Sequence, residues 1–297
     1  MGCNLKRVCK QKIYKTCFQK IHMAYDIYAI SSYAPRPCGI ATFTSNLIGA
    51  LKHTFTGEIG SIDVYAIDDS KGIRRYDPLI ELVIDQFDPK SWTRTSGHII
   101  TRASERQNNP IIILQHEFGL DGERANGTNY LNLARILKTS GMPVFTYLHT
   151  ISREPNEHQK TITQKLAETS ERLIVTTQSA IKILEDSYGI PNSKIKHIDH
   201  GIRMHNRSKY SRNEIKKKYG LEDMLIISTL GLKSINKGLE FGIEAYGKFI
   251  TELEKENREK IIYLIAGEYH PGFISQEEGK YYKEHLAVLE DGLKKSG

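Results

Sequence analysis

The chain has 297 residues, 39% hydrophobic and 26% charged, a balance that fits a folded chain with room for two domains and excludes a disordered or fibrous one. Its apolar runs, such as Ile111 to Leu114, fall far short of the roughly 18–20 residues that span a bilayer. The net charge of +7 argues against nucleic acid as partner once it is located: Lys6, Arg7, Lys10, Lys12, Lys15 and Lys20 carry six of those charges without a neighbouring acid, leaving +1 for the rest.

Residues 1–23 read as a basic N-terminal extension. Three of the four cysteines, Cys3, Cys9 and Cys17, lie in it, the fourth is Cys38, and residues 39–297 have none, so no disulfide framework holds the body and a reducing compartment fits. The cysteine spacings match no zinc pattern. Met1-Gly2-Cys3 resembles the start of an acylated protein, but Lys6 stands where the myristoylation pattern has Ser or Thr. The extension has no apolar core of secretory length, which points to the cytoplasm, while its six cations would let it touch anionic lipid at a membrane surface. The triplets at Asn126 and Asn206 read as glycosylation sequons by chance.

From residue 24, short apolar runs alternate with amphipathic stretches, the pattern of βα repeats on a parallel sheet. Strands are expected at Asp26 to Ser31, Ile62 to Ile67, Ile80 to Ile84, Ile111 to Gln115, Val144 to His149, Leu173 to Thr176 and Ile195 to Ile198. Helices are expected at Ile40 to His53, Thr128 to Thr139, His158 to Glu168 and Gln178 to Tyr188, where apolar residues recur three and four apart. Residues 24–203 thus form a doubly wound, Rossmann-like domain. Residues 204–222 are a charged connector with one short helix. Residues 223–297 open a second series: strand Met224 to Leu230, helix Leu239 to Leu253, strand Ile261 to Ala266 and helix Gly279 to Leu293. Two βα units are fewer than the five or six strands of a usual open parallel sheet, so this second domain reads as incomplete.

Ligands of doubly wound sheets sit beyond the carboxyl ends of the strands, so the polar residues there carry the functional reading. After the first strand comes Pro35-Arg36-Pro37-Cys38-Gly39, where Gly39 leads into a helix whose free amides suit an anion. Later strand ends carry Gln115-His116-Glu117-Phe118-Gly119, His149-Thr150 and Asp199-His200-Gly201. In the second domain Gly231 is followed by Asn236-Lys237-Gly238, and Gly267-Glu268-Tyr269-His270-Pro271 closes the second strand. Singly these are ordinary: a strand-end histidine is more often bonded to a backbone carbonyl than catalytic, and a helix-start lysine is more often solvated. Neither G-x-G-x-x-G nor G-x-x-x-x-G-K-[ST] occurs, so the dinucleotide and P-loop readings lack their phosphate cradle.

As an ordered set, the segments Pro35 to Phe43, Gln115 to Gly119, His149-Thr150, His200-Gly201, Asn236 to Gly238 and Gly267 to Pro271 resemble the family 4 (group 1) retaining glycosyltransferases of the GT-B architecture. The resemblance covers about residues 24 to 297. It implies an α/β protein of GT-B type, with two Rossmann-like domains and a cleft that takes an activated sugar, usually a nucleotide sugar, and a carbohydrate or small-molecule acceptor. It also implies transfer to an acceptor hydroxyl with retention of anomeric configuration, with no cofactor and no metal. Under it, Gly39, Lys237 and Gly238 bind the donor phosphates, His149 is the catalytic residue beside the transferred sugar, and Arg36, His116, Glu117, His200 and Gly201 line the cleft. A departing diphosphate concentrates negative charge, which a cation beside helix amides is suited to meet.

The chain departs from the family in three places. Leu232 stands where an arginine is common, leaving Lys237 alone or with Lys233; Asp199 replaces a common proline. The E-x7-E glutamate pair that grips ribose and sugar is not reached before Gly297; Glu277, Glu278 and Glu284 come too early. The truncation leaves a second reading, a non-catalytic fragment that acts as a binding or partner module, and a partner chain completing the second domain would restore activity. A third reading, a metal phosphohydrolase on His116, Glu117, His149 and His200, has suitable ligand types but no H-x-H or H-E-x-x-H pair.

Overall fold

A computed structural model describes residues 24–69, 74–122, 126–202, 210–269 and 277–296. The basic extension, the sequon at Asn206 and the His270-Pro271 turn lie outside the described residues. The chain divides into two compact units, Met1–Met204 and His205–Gly297.

The first unit alternates strands and helices: β1 (Tyr25–Ser31), α1 (Gly39–Thr54), β2 (Ile59–Asp68), β3 (Ile80–Asp85), α2 (Pro89–Ser104), β4 (Asn109–His116), α3 (Thr128–Thr139), β5 (Val144–Leu148), α4 (Glu157–Thr169), β6 (Arg172–Val175), α5 (Gln178–Tyr188) and β7 (Ile195–His197). The strands form one parallel sheet in the order β3-β2-β1-β4-β5-β6-β7. Chain order reverses between β1 and β4, which makes the loops after these two strands the switch point of the sheet.

Successive side chains of a strand face opposite sides, and both sides are covered here. Tyr28 and Ile30 of β1 join a large core with Tyr65, Ile112, Leu114, Trp92 and Leu133. Ile27 and Ala29 join a second core with Val64, Ala66 and Ile48 of α1. The central strands β1, β4, β5 and β6 are buried on both faces and carry mostly apolar runs, whereas the edge strands β3 and β7 are partly exposed and carry charged residues such as Glu81 and Lys196.

Helix α2 has no counterpart among the expected helices. Its buried positions are Ser91, Trp92, Thr95, Ser96 and Ile99, so its inward face is largely hydroxylic and gives no apolar stripe. Thr95 Oγ1 donates to Ser91 O at 2.9 Å and Ser96 Oγ to Thr93 O at 2.8 Å, which satisfies those hydroxyls inside the helix. The start is nevertheless written in the sequence: the Asp88 carboxylate accepts from Lys90 N at 3.0 Å, and Pro89 occupies the first helical position.

The second unit holds α6 (Arg212–Lys218), β8 (Leu225–Leu230), α7 (Leu239–Thr251), the short α8 (Lys255–Arg258), β9 (Ile261–Ala266) and a helix over Glu277–Ser296. Helix α6 starts with a capping box in which Ser211 and Glu214 each accept from the other's backbone N–H. Among the described residues β8 and β9 form a two-stranded parallel sheet. Leu239, Ile243, Tyr282 and Leu286 form its small core. Both strands end at glycines in the left-handed half of backbone space, Gly231 (φ 144°) and Gly267 (φ 139°). A Cβ on Gly267 would lie 1.9 Å from Gly231 O, so the two loops approach at a distance only glycine allows. Among the described residues no helix is long and apolar enough to cross a membrane.

Candidate active site

The first unit gathers its strand-end residues at the carboxyl edge of β4, β5 and β7. Gln115, at the end of β4, is paired with Tyr147 of β5, and this register sets Gln115 beside His149 just past β5. His149 Nε2 lies 2.6 Å from Gln115 Oε1. With the amide oxygen as acceptor the imidazole proton sits on Nε2, which leaves Nδ1 as a lone-pair acceptor. His149 N also donates to His116 O at 3.1 Å, and Thr150 Oγ1 donates to a carboxylate oxygen of Glu117. The ends of β4 and β5 are thereby tied at three successive positions.

Phe43, in the second turn of α1, sits among these groups. Its ring meets those of Tyr147, His149 and His200 edge-on, with centroids 5.7, 5.3 and 4.9 Å away. His200 is exposed and donates from Nδ1 to Gly201 O at 2.9 Å. The first-unit motifs therefore converge: α1 supplies Phe43, the end of β4 and the residue after it supply Gln115 to Glu117, the residue after β5 supplies His149 and the segment after β7 supplies His200.

Burial, and next the neighbouring His200, push the His149 pKa down to about 4. His116 is 1% exposed, with its ring against Phe118 and Tyr130; burial, and next His149, push it down to about 3. Both imidazoles are neutral at physiological pH. Neither ring nitrogen of His116 has a hydrogen-bond partner among the described residues, and the same holds for Gln115 Nε2. His116 is thus a buried neighbour of the site and not part of an open wall. Asp121 accepts from Gly127 N at 2.7 Å and Asn129 N at 3.0 Å, which ties the turn after β4 to the start of α3. Burial pushes its carboxyl up to about 6, against the lowering effect of these hydrogen bonds.

The other expected residues are placed differently. Arg36 turns to the end of β2, donating from Nη1 to Ile67 O at 3.0 Å and pairing with Asp69 at 3.4 Å. Its charge is also shared through Asp69 with Arg74, so Arg36 braces the loop after β1. Gly39 is the first residue of α1, whose cap residue Cys38 makes no side-chain cap bond. A Cβ on Gly39 or Gly201 would meet nothing within 4 Å, so the first unit itself does not require glycine at either place. In the second unit Lys237 is exposed and ends a single 3-10 turn. Gly238 follows at φ 60° as the cap of α7, again with no side-chain cap bond. Helix α7 thus begins with amides that no cap side chain takes, and Lys237 precedes its cap residue in the chain. Lys233 is held over the Tyr269 ring, its Nζ 4.5 Å from the centroid. Among the described residues no three His, Cys, Asp or Glu side chains are grouped so as to hold a metal ion.

Sequence reasoning missed two members of the cluster, Gln115 and Phe43, as functional side chains. Gln115 needed the β4–β5 register, and nothing in the spacing of Phe43 from the two histidines, more than 100 residues on, announces their contact.

The chain matches no protein-family model and no curated protein by sequence. Its fold is found among solved structures. It is similar to a glycosyltransferase from Rickettsia africae, with TM-score 0.62 and 15% identity over 91% of this chain and 66% of that one. Anabaena Alr3699/HepE, solved in complex with UDP, gives TM-score 0.59 and 14% identity over 91% and 67%. An alpha,alpha-trehalose-phosphate synthase (UDP-forming) from Burkholderia xenovorans, in complex with glucose-6-phosphate, gives 0.57 and 10% over 91% and 71%. The chain spans about two thirds of the length of these structures. The fold is accordingly the α/β, Rossmann-like fold of the GT-B glycosyltransferases.

Proposed function

We propose that the protein is a glycosyltransferase that moves a sugar from a nucleotide-diphosphate donor to the hydroxyl of a carbohydrate or small-molecule acceptor, with retention of configuration, as the family 4 resemblance implies. The observation that carries this reading is the neutral His149, fixed by Gln115 and packed against Phe43 at the carboxyl end of a parallel sheet of GT-B type. A neutral imidazole with a free Nδ1 lone pair accepts a hydrogen bond from a sugar hydroxyl, and it adds no positive charge where the anomeric carbon becomes electron-poor. In the transfer, the bond from the anomeric carbon to the phosphate oxygen breaks with its electrons going to the diphosphate. The acceptor oxygen bonds to that carbon on the same face, and its proton passes to a donor phosphate oxygen. No protein nucleophile is needed.

Lys237 and the first amides of α7 are the groups we assign to the diphosphate, a cation and a helix N-terminus both suited to it. The reading is tested by titrating UDP into the chain by calorimetry. Lys237→Ala is expected to weaken binding by about 1.5–3 kcal/mol, or roughly 10- to 150-fold. Equal UDP affinity of the two proteins would contradict the assignment.

A further inference from the structure

Phe43 closes the segment Pro35 to Phe43, yet the reading of that segment as a phosphate-facing loop gives its last residue nothing to do. The structure gives it three aromatic partners. The centroid distances of 4.9 to 5.7 Å to His200, His149 and Tyr147, at interplanar angles of 61° to 81°, lie in the range of favourable edge-to-face pairs. Two of the three partners are histidines on different elements, 51 residues apart in the chain.

Each imidazole is oriented by one ring hydrogen bond, His149 through Nε2 to Gln115 and His200 through Nδ1 to Gly201 O. A single hydrogen bond leaves a ring free to tilt about it. The Phe43 ring supplies a second constraint for both. It also belongs to the apolar surroundings that keep His149 out of water, and burial is the main reason His149 stays neutral. Among the described residues the titratable groups near His149 are His116 at the end of β4, Glu117 just after it through Thr150, Tyr147 of β5 and His200 after β7, and α1 brings the Phe43 ring.

We infer that Phe43 is a positioning residue that orients His149 and His200 together, linking the start of α1 to the ends of β5 and β7. The inference builds on the proposed role of His149 at the transferred sugar, while the ring contacts hold independently of that role.

The test is histidine-selective 15N NMR of the 297-residue chain from pH 4.5 to 8, with resonances assigned by single His→Gln variants. In the unmodified protein His149 is expected as a single neutral tautomer protonated on Nε2, with cross-relaxation from the Phe43 ring to both imidazoles. In Phe43→Leu, His149 should show both tautomers and a midpoint moved upward toward the ordinary value near 6.5. The His200 resonances should shift with it. His116, whose ring contacts are Phe118 and Tyr130 and which feels Phe43 only through His149, should move clearly less than His149, and Phe43→Tyr, which keeps the ring, should restore the native pattern. If Phe43→Leu fails to fold, Phe43→Met serves in its place, and the cross-relaxation in the unmodified chain still decides. Unchanged His149 and His200 signals without the ring, no cross-relaxation from it, or an equal shift of His116 would overturn the inference. The sugar-transfer reading fails on other evidence, by retained turnover in His149→Gln, so the two failures are distinguishable.

Discussion

The two units put the same βα grammar to different use of their strands. In β1 every residue after Tyr25 is buried, whereas β8 has four exposed and two half-buried positions and none fully buried. The first sheet has packed cores on both faces; the second rests on four buried side chains and leaves Leu225 at 55%, Leu230 at 85% and Leu264 at 43% exposure. Apolar strand composition is therefore equal evidence for a strand in both units but unequal evidence for stability, because the hydrophobic contribution follows area removed from water and not residue type.

Hydrogen exchange probes this contrast at its largest. Amides of β1, β4 and β5 are expected to exchange only through global opening of the first unit, with protection several orders of magnitude above that of β8 and β9, which open locally. Equal protection in the two sheets would break the comparison.

A paired truncation sharpens it. Leu114, fully buried in β4, should cost about 2–5 kcal/mol when replaced by Ala, while Ile227→Ala, at a position 40% exposed, should cost less than about 1.5 kcal/mol in urea denaturation. Similar losses at the two sites would mean that the β8 position is covered in solution.

The first unit should also be the acid-sensitive one. His149 and His116 have folded-state pKa values depressed to about 4 and about 3. Their contribution is complete above the unfolded value near 6.5 and is lost as pH falls through the folded values. Asp121, raised to about 6, acts oppositely: its contribution is present below the unfolded carboxylate value and is lost as pH rises through 6. Between about pH 6 and 4 the unfolded chain binds two histidine protons against one held by native Asp121, a net fall of about 1.4 kcal/mol per pH unit on acidification. His116→Gln should flatten that slope, and a slope unchanged by the substitution would show that other groups carry it.

How much of this was legible in the sequence follows from the same physics. The central strands of the first unit stand out because burial on both faces favours long apolar runs, the edge strands β3 and β7 because their apolar residues recur between turn signals, and β8 and β9 because their runs are just as apolar. Helix α2 was hidden because Ser91, Thr95 and Ser96 fill its inward face, although Asp88-Pro89 marks its start. In the site, the strand-end histidines could be named from the chain alone, since topology places them at one edge. The Gln115–His149 bond, the withdrawal of Arg36 to Asp69 and the burial of His116 depend on register and on contacts between distant segments, which no local pattern encodes.

The most direct test of the account is turnover by His149→Gln beside the unmodified protein, followed as acceptor-dependent release of nucleoside diphosphate from a panel of nucleotide sugars. Gln keeps a polar side chain but lacks the imidazole lone pair. The account predicts release by the unmodified chain with at least one donor, and a fall on the order of 10²-fold in the variant at unchanged melting temperature. Equal turnover of the two proteins would contradict the assignment of this site to sugar transfer.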